Sequence, residues 1–367
     1  MRLVATKQAK AGEKLGKPIY DLEGRPLLRR GAVLTERLLT RLYNLGIHYI
    51  YVEDERLADI EYEDVISDET RREAIQTIKT EFTEIADSVK LNKVINGDRL
   101  SVDFSKVVYS ILSDIKKNRD ALSILSDVYI YDNYVFTHSL NVTVYTLALA
   151  VKLGYNEREL LEIGIGALLH DVGKMAVPLE ILNKPGKLTK EEFEVIKTHP
   201  KVGYDMLKDL PNISLLTAHC ALQHHERING SGYPYGLKGD EIHEYAQIIG
   251  IADVFDAVTS HRSYRKPMLP HEALELLYSG VGTLYDIRYI QEFNQTIAVY
   301  PIGLTVVLSD GRVGIVVKQN KGLSTRPVVR IVKENGKSLD EPYDVDLVKH
   351  PNVTIVATES TLASKTG

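Results

Sequence analysis

"LLHDVGKMAVP", residues 168–178, interrupts an apolar run with a histidine and an aspartate side by side. A helix fit for burial gains nothing from a carboxylate there, because burying an ionised group is costly unless a cation or a metal compensates it. Lys174 is near enough in sequence to pair with Asp171, so an ion pair is one reading. It leaves the surrounding histidines unexplained: His138, His170, His199, His219, His224 and His225 are six of the chain's eleven and fall in one stretch. A second carboxylate, Asp253, lies in the equally apolar "IIGIADVFDAVTS", residues 248–260, with Asp256 one turn further on as a weaker candidate. Neutral imidazoles and carboxylates are suitable ligands for Mn, Fe, Co, Ni or Zn, and one aspartate can bridge two cations. The clustering therefore favours a metal site over a lone ion pair.

Around this stretch, apolar periodicity recurs at 104–125, 127–153, 157–170, 190–208, 213–226 and 244–260, which predicts an all-helical domain over 101–298. Thr189 followed by Glu192 marks a capping box at one helix start. Before it, residues 61–100 read as a charged, amphipathic helical linker. Ile75, Ile78, Phe82, Ile85 and Val89 form a short heptad seam on the helix at 72–90, open either to a homodimer or to docking on its own domain. Residues 1–60 mix short β-like pieces with one helical pattern, as expected of a small α+β domain. From 299 to 358 the runs alternate and carry Asp-Gly and Asn-Gly turn signals, predicting a small β domain, and the polar tail 359–367 is expected to be disordered. The fold class is thus mainly α, a helical bundle with small flanking domains.

Two further stretches bear on binding. "HHERINGSGYPYGLKGDEI", residues 224–242, gathers glycines directly after two of the histidines. Glycines permit close backbone approach, so N–H groups near Gly232 and the Tyr233 ring are candidates to meet a phosphorylated nucleotide; a tight surface loop is the bland alternative. "SHRSYRKP", 260–267, supplies Arg262 and Arg265, whose planar guanidinium groups suit phosphate oxygens. A solvated helix end is the competing reading.

Together, "FTHSLNV", "LLHDVGK", "KTHPKVGYDML", "QHHERINGSGYP", "GLKGDEI" and "IADVFDAVTSHRSYR" resemble, in order and approximate spacing, the HD-GYP family of HD-superfamily phosphohydrolases that degrade cyclic di-GMP. The resemblance covers about 125–298. It implies that His138, His170, Asp171 and Asp253 hold one metal, and that Asp171 bridges to a second held by His199, His224 and His225. Lys174 falls where the family's lysine contacts the scissile phosphate, and Gly232, Tyr233, Arg262 and Arg265 match substrate-holding positions. Mn or Fe is the expected pair. Some family members hold a third metal through a carboxylate four residues before the first histidine; here that residue is Tyr134, so two metals are expected. Gln247 also departs from the family's usual arginine.

The implied activity is hydrolysis of cyclic di-GMP to pGpG or GMP by a hydroxide between the two metals. The alternatives are a cyclic-dinucleotide sensor with little turnover, or a phosphohydrolase of another nucleotide such as cyclic GMP-AMP. Composition is compatible: a net charge of −5 nominates no nucleic-acid polymer as partner. A single cysteine excludes a multi-cysteine zinc site and an intrachain disulfide framework, which fits a cytoplasmic protein. The longest apolar stretch, "VTVYTLALAV", is too short to span a bilayer.

Overall fold

The computed structural model describes residues 1–20, 26–60, 64–117, 134–184, 186–260, 267–320 and 322–358. They divide into two compact units, one from the two ends of the chain (Met1–Val65 and from Asn294 onward) and one from its middle (Ile66–Lys117 and Asn133–Phe293).

The chain begins with β1 (Arg2–Ala5), β2 (Ile19–Tyr20), β3 (Pro26–Leu28), α1 (Glu36–Asn44) and β4 (Tyr49–Val52). β1 pairs antiparallel with β4, and β2 with β3. Helix α1 starts where the Thr35 hydroxyl accepts from the Leu38 N–H at 3.2 Å, and its apolar face closes a core of Leu15, Leu34, Leu42, Ile47 and Ile50.

The middle of the chain is helical: α2 (Asp68–Lys90), α3 (Gly97–Lys117), α4 (Tyr134–Leu153), α5 (Glu157–Leu169), α6 (Leu179–Leu182), α7 (Lys190–Ile196), α8 (His199–Leu207), α9 (Leu215–Gln223), α10 (Glu244–Thr259), α11 (Pro270–Ser279) and α12 (Ile287–Thr296). Helices α4, α5, α9 and α10 are buried over most of their length, as the centre of a bundle must be. Among the described residues no helix is long and apolar enough to cross a membrane.

The seam on α2 is spent inside this unit. Ile75, Ile78, Phe82 and Ile85 are buried, and the Phe82 ring meets Phe104 of α3 and Phe136 of α4 edge to face, at 6.4 and 6.0 Å between centroids. The docked alternative therefore applies, and a homodimer through the 72–90 helix loses its apolar surface. The stretch 61–100 is correspondingly no linker, since α2 is part of the bundle. The periodic run 190–208 is also broken, into α7 and α8. Pro200, in the first turn of α8, has no N–H to continue the α7 ladder.

The C-terminal strands β5 (Thr305–Leu308), β6 (Val313–Lys318), β7 (Val328–Glu334), β8 (Lys337–Asp346) and β9 (Ile355–Thr358) form one antiparallel sheet in the order β8-β7-β6-β5-β9. The β7–β8 hairpin turns at Asn335-Gly336, both with positive φ (50° and 76°), the two-residue geometry that an Asn-Gly pair favours.

Both flanks, read from sequence as separate domains, share one unit. Leu57 is buried among Ile315, Val317 and Val332, and the Leu3 N–H donates to the Gly303 carbonyl at 2.9 Å. Arg330 donates to both carboxylate oxygens of Asp59 (2.6 and 2.8 Å) and to Asp344 (2.7 Å). Sequence periodicity carries no information on such pairing, because the partners lie more than 250 positions apart along the chain, with a separation of 271 for Arg330 and Asp59. The tail 359–367, residues 118–133 with the end of the predicted run 104–125 and the start of 127–153, and both Arg262 and Arg265 lie outside the described residues.

Candidate active site

The residues singled out by sequence converge at the ends and middles of bundle helices. His138 projects from α4. His170 caps α5 and Asp171 begins the 3-10 turn Val172–Ala176 that follows it. His199 opens α8, His224 caps α9 with His225 next, and Asp253 lies on α10. All are buried except His225, which is partly exposed. His219, the other clustered histidine, packs instead against Tyr204, at 5.2 Å between centroids.

Ring orientation follows from hydrogen bonds on the outward nitrogens. The Nδ1 atoms of His170, His199 and His224 meet the backbone carbonyls of Ala167, Ile196 and Ala221 at 2.6, 2.7 and 2.9 Å. Nδ1 is therefore the protonated nitrogen in each neutral ring, and the Nε2 lone pairs face inward. The break between α7 and α8 has a use here, since His199 takes a carbonyl that α7 leaves free.

Inside, acceptors face acceptors. His199 Nε2 lies 3.3 Å from His224 Nε2, and both approach Asp171 Oδ1, at 3.2 and 3.7 Å. That oxygen is buried without a hydrogen-bond partner. His138 Nε2 and His170 Nε2 stand 3.4 Å apart, each 3.4 Å from Asp171 Oδ2. Lone pairs so arranged repel one another unless a cation sits among them. Two donor sets result, each with ligand atoms within 4.8 Å of one another: His138, His170 and Asp171, and Asp171, His199, His224 and His225. Asp171 belongs to both. Asp253 is in neither set but borders both, with Oδ1 3.1 Å from His138 Nε2 and Oδ2 3.6 Å from His225 Nδ1. The donor chemistry is that of a divalent-metal site.

Electrostatics separate the donors: His224 and His225 stay neutral, whereas His138 takes up a proton in the place a cation would otherwise hold. Burial disfavours the imidazolium of His224 and pulls its pKa down to about 4, leaving it a neutral donor. His225 is pushed down for the same reason. Burial also opposes charge on His138, but the facing carboxylates of Asp171, Asp253 and Asp256 outweigh it and push its pKa up to about 10. Burial works against the Asp171 carboxylate too, yet Lys174 and the neighbouring histidines hold it well below the usual range. Both expectations for Lys174 thus bear on one place: its Nζ lies 2.5 Å from Asp171 Oδ2, at the rim of the centre.

Two acidic residues do more than their sequence setting suggested. Asp256 binds no metal position; it accepts from His138 Nδ1 at 2.7 Å and from Asn141 and Ser260 at 2.9 and 2.8 Å, fixing the ring. Its spacing of three from Asp253 on α10 was the available signal. Glu226, which sequence reasoning passed over, is buried and accepts the N–H groups of Tyr235 at 2.7 Å and Leu237 at 3.0 Å. Its carboxylate folds the glycine-rich loop back on His224 and His225. A Cβ at Gly232 would stand 2.4 Å from Glu226 Cα and 2.5 Å from His225 O, so only glycine allows this approach. The next residue, Tyr233, lays its ring over His225, with centroids 4.7 Å apart and planes inclined by 31°. Gln247, where the family has arginine, donates to the Ile242 carbonyl at 3.0 Å, supporting backbone rather than the centre.

Residues 107–288 match the HD domain family, and residues 305–362 match the KOW domain associated with HD domains. A bundle that brings a histidine-aspartate pair together with four further histidines defines the class, an HD-domain protein. A cyclic di-GMP phosphodiesterase of Pseudomonas aeruginosa is 38% identical over 227 residues, 62% of this chain and 55% of the relative. The cyclic di-GMP phosphodiesterase PdeB of Borreliella burgdorferi is 29% identical over 220 residues, 60% and 58% of the two chains. A 3'3'-cGAMP-specific phosphodiesterase of Vibrio cholerae is 38% identical over 153 residues, 42% and 33%. The chain thus spans between 33% and 58% of the length of these relatives. In fold it is similar to an HDG"Y"P protein of Bdellovibrio bacteriovorus, with a TM-score of 0.52 at 20% identity, over 80% of this chain and 97% of that one. Residues 107–288 thus form an HD domain, and over that stretch the chain resembles phosphodiesterases of cyclic dinucleotides.

Proposed function

We propose that this chain is a metal-dependent phosphodiesterase that hydrolyses cyclic di-GMP to the linear dinucleotide pGpG, to GMP, or to both. The observation that carries the proposal is the pair of donor sets sharing Asp171, with its buried, unbonded Oδ1 between two inward-facing histidines. His138, His170, Asp171 and Asp253 would hold one divalent ion, and Asp171, His199, His224 and His225 the other, with Mn or Fe suited to this His/carboxylate set. Bound there, such ions lower the pKa of water and offset the charge of an in-line phosphoryl displacement. The protein's own part is positional. Lys174, beside Asp171, presents an ammonium to phosphate oxygens, and Arg262 and Arg265 are assigned the same task by their motif. Gly232 lets the loop close on His225, so that Tyr233 walls the substrate side. Asp256 and the backbone carbonyls keep the rings aimed inward.

Cyclic GMP-AMP is a second substrate reading, favoured by the Vibrio cholerae relative named for that nucleotide. The test is to purify the protein anaerobically, determine its metals by elemental analysis, and incubate it with cyclic di-GMP and with cyclic GMP-AMP beside Asp171→Ala. About two metals per chain and hydrolysis abolished in the variant are expected. Bound metal without turnover of either nucleotide would make the protein a sensor, and Asp171→Ala with full activity and metal content would refute the proposal.

A further inference from the structure

Phe193 is a large aromatic left 46% exposed on α7. It is not loosely held. The Thr189–Glu192 capping box starts the helix, and Lys184 donates to both Glu192 oxygens at 2.7 Å, so the turn that leads into Phe193 is fixed. Its ring meets Tyr233 nearly at right angles, 77° with centroids 6.5 Å apart, and Tyr233 in turn lies over His225. A run of rings therefore leads from the second donor set out to solvent, ending in an exposed face. Lys197 sits above the Phe193 ring, with Nζ 5.5 Å from its centroid, and pairs with Glu194 at 2.6 Å.

Phe193 and Tyr233 make a two-walled aromatic corner, with Tyr233 against His225 and Phe193 one ring further out. That separation suits the reach from a phosphate, across its ribose, to the base it carries. Nucleobases stack on aromatic faces irrespective of identity, and a diester without a base has no such ring to offer. We infer that Phe193 is a substrate-specificity residue that stacks a purine base of the nucleotide whose phosphodiester lies at the metal centre; this rests on the reading of the site as a cyclic-dinucleotide phosphodiesterase. It follows that the site separates nucleotide from simple diesters by the base, through a residue of α7 that is neither a metal donor nor part of the glycine-rich loop.

The experiment compares the metal-loaded 367-residue chain with Phe193→Leu, which keeps apolar bulk but has no ring face, and with Phe193→Trp. Cyclic di-GMP and the nucleobase-free diester ethyl 4-nitrophenyl phosphate are the substrates. Phe193→Leu is expected to lower the ratio of kcat/KM for cyclic di-GMP to that for the simple diester about tenfold, chiefly through KM, and Phe193→Trp to restore it; tenfold is about 1.4 kcal/mol. A ratio within twofold of the parent in Phe193→Leu would overturn the inference and leave Phe193 as a prop for Tyr233. If the parent protein does not hydrolyse a cyclic dinucleotide, the proposed function fails separately. Equilibrium binding of GMP against ribose 5-phosphate then decides the stacking role: a preference for GMP lost in Phe193→Leu upholds it, and an unchanged preference overturns it.

Discussion

Asp256→Asn isolates orientation of a metal-site histidine from ligation itself. Asp256 serves three donors: His138 Nδ1 at 2.7 Å on one oxygen, and Asn141 Nδ2 at 2.9 Å with Ser260 Oγ at 2.8 Å on the other. An asparagine has one acceptor oxygen and an amide that can only donate. Whichever way it turns, an N–H faces a donor: either His138 loses the acceptor that aims its Nε2, or Asn141 meets the amide. Loss of such a carboxylate behind a ligating histidine costs about 10- to 100-fold in metal affinity, or about 1.4 to 2.7 kcal/mol. The assay is competition for Mn2+ against a chelator of known affinity, with thermal unfolding of the metal-free protein as the control for folding. Mn2+ affinity within threefold of the parent, in a folded Asp256→Asn protein, would refute the argument that this carboxylate sets the ring.

Gly232→Ala should leave the bundle folded and metal bound but reduce turnover at least tenfold, since its Cβ has no room against Glu226 and His225 and must displace the loop; retained turnover would show the loop free to shift. Glu226→Ala strips two backbone N–H groups of their acceptor, a cost of about 1–3 kcal/mol for each one that stays buried; thermal unfolding and a raised KM with unchanged metal content would report it. Leu57→Ala, buried among Ile315, Val317 and Val332, should destabilise the unit built from both chain ends by about 2–5 kcal/mol, and an unaltered denaturation midpoint would show that its two parts do not support each other. Burial works against the Asp114 carboxylate, but it accepts the Ser67 N–H at 2.9 Å and its pKa is lowered overall. Its stabilisation is therefore present above the ordinary carboxylate pKa of 3.8 and lost as pH falls through the depressed value. Asp114→Asn should lower the urea midpoint at pH 6 and lessen the parent's loss of stability between pH 4 and pH 2.

The helices and the donor residues were legible in sequence because both leave local marks. Apolar spacing near 3.6 announces α4, α5, α9 and α10, and His170-Asp171 and His224-His225 stand out against apolar neighbours. The capping box at Thr189 was equally plain, and it is present. Less was visible where two readings share one pattern. The α2 seam fits a coiled-coil partner and a docked helix alike, and only Phe104 and Phe136 across from Phe82 distinguish them. Glu226 passed for a charged loop residue because its role depends on N–H groups at Tyr235 and Leu237, beyond a turn whose path the sequence does not state.

By itself the sequence determined which residues had to be buried and which buried ones needed compensation, since both follow from the cost of taking apolar and charged groups out of or into a low-dielectric interior. That sufficed for a helical bundle, a small C-terminal sheet and a histidine-aspartate centre. Only the tertiary structure decided which nitrogens face inward, that Asp171 Oδ1 is left without a donor, that Asp256 aims His138, and that Leu57 joins the two ends of the chain. Each of these depends on distances between residues far apart along the chain, set by packing of whole elements, and no local pattern encodes a distance.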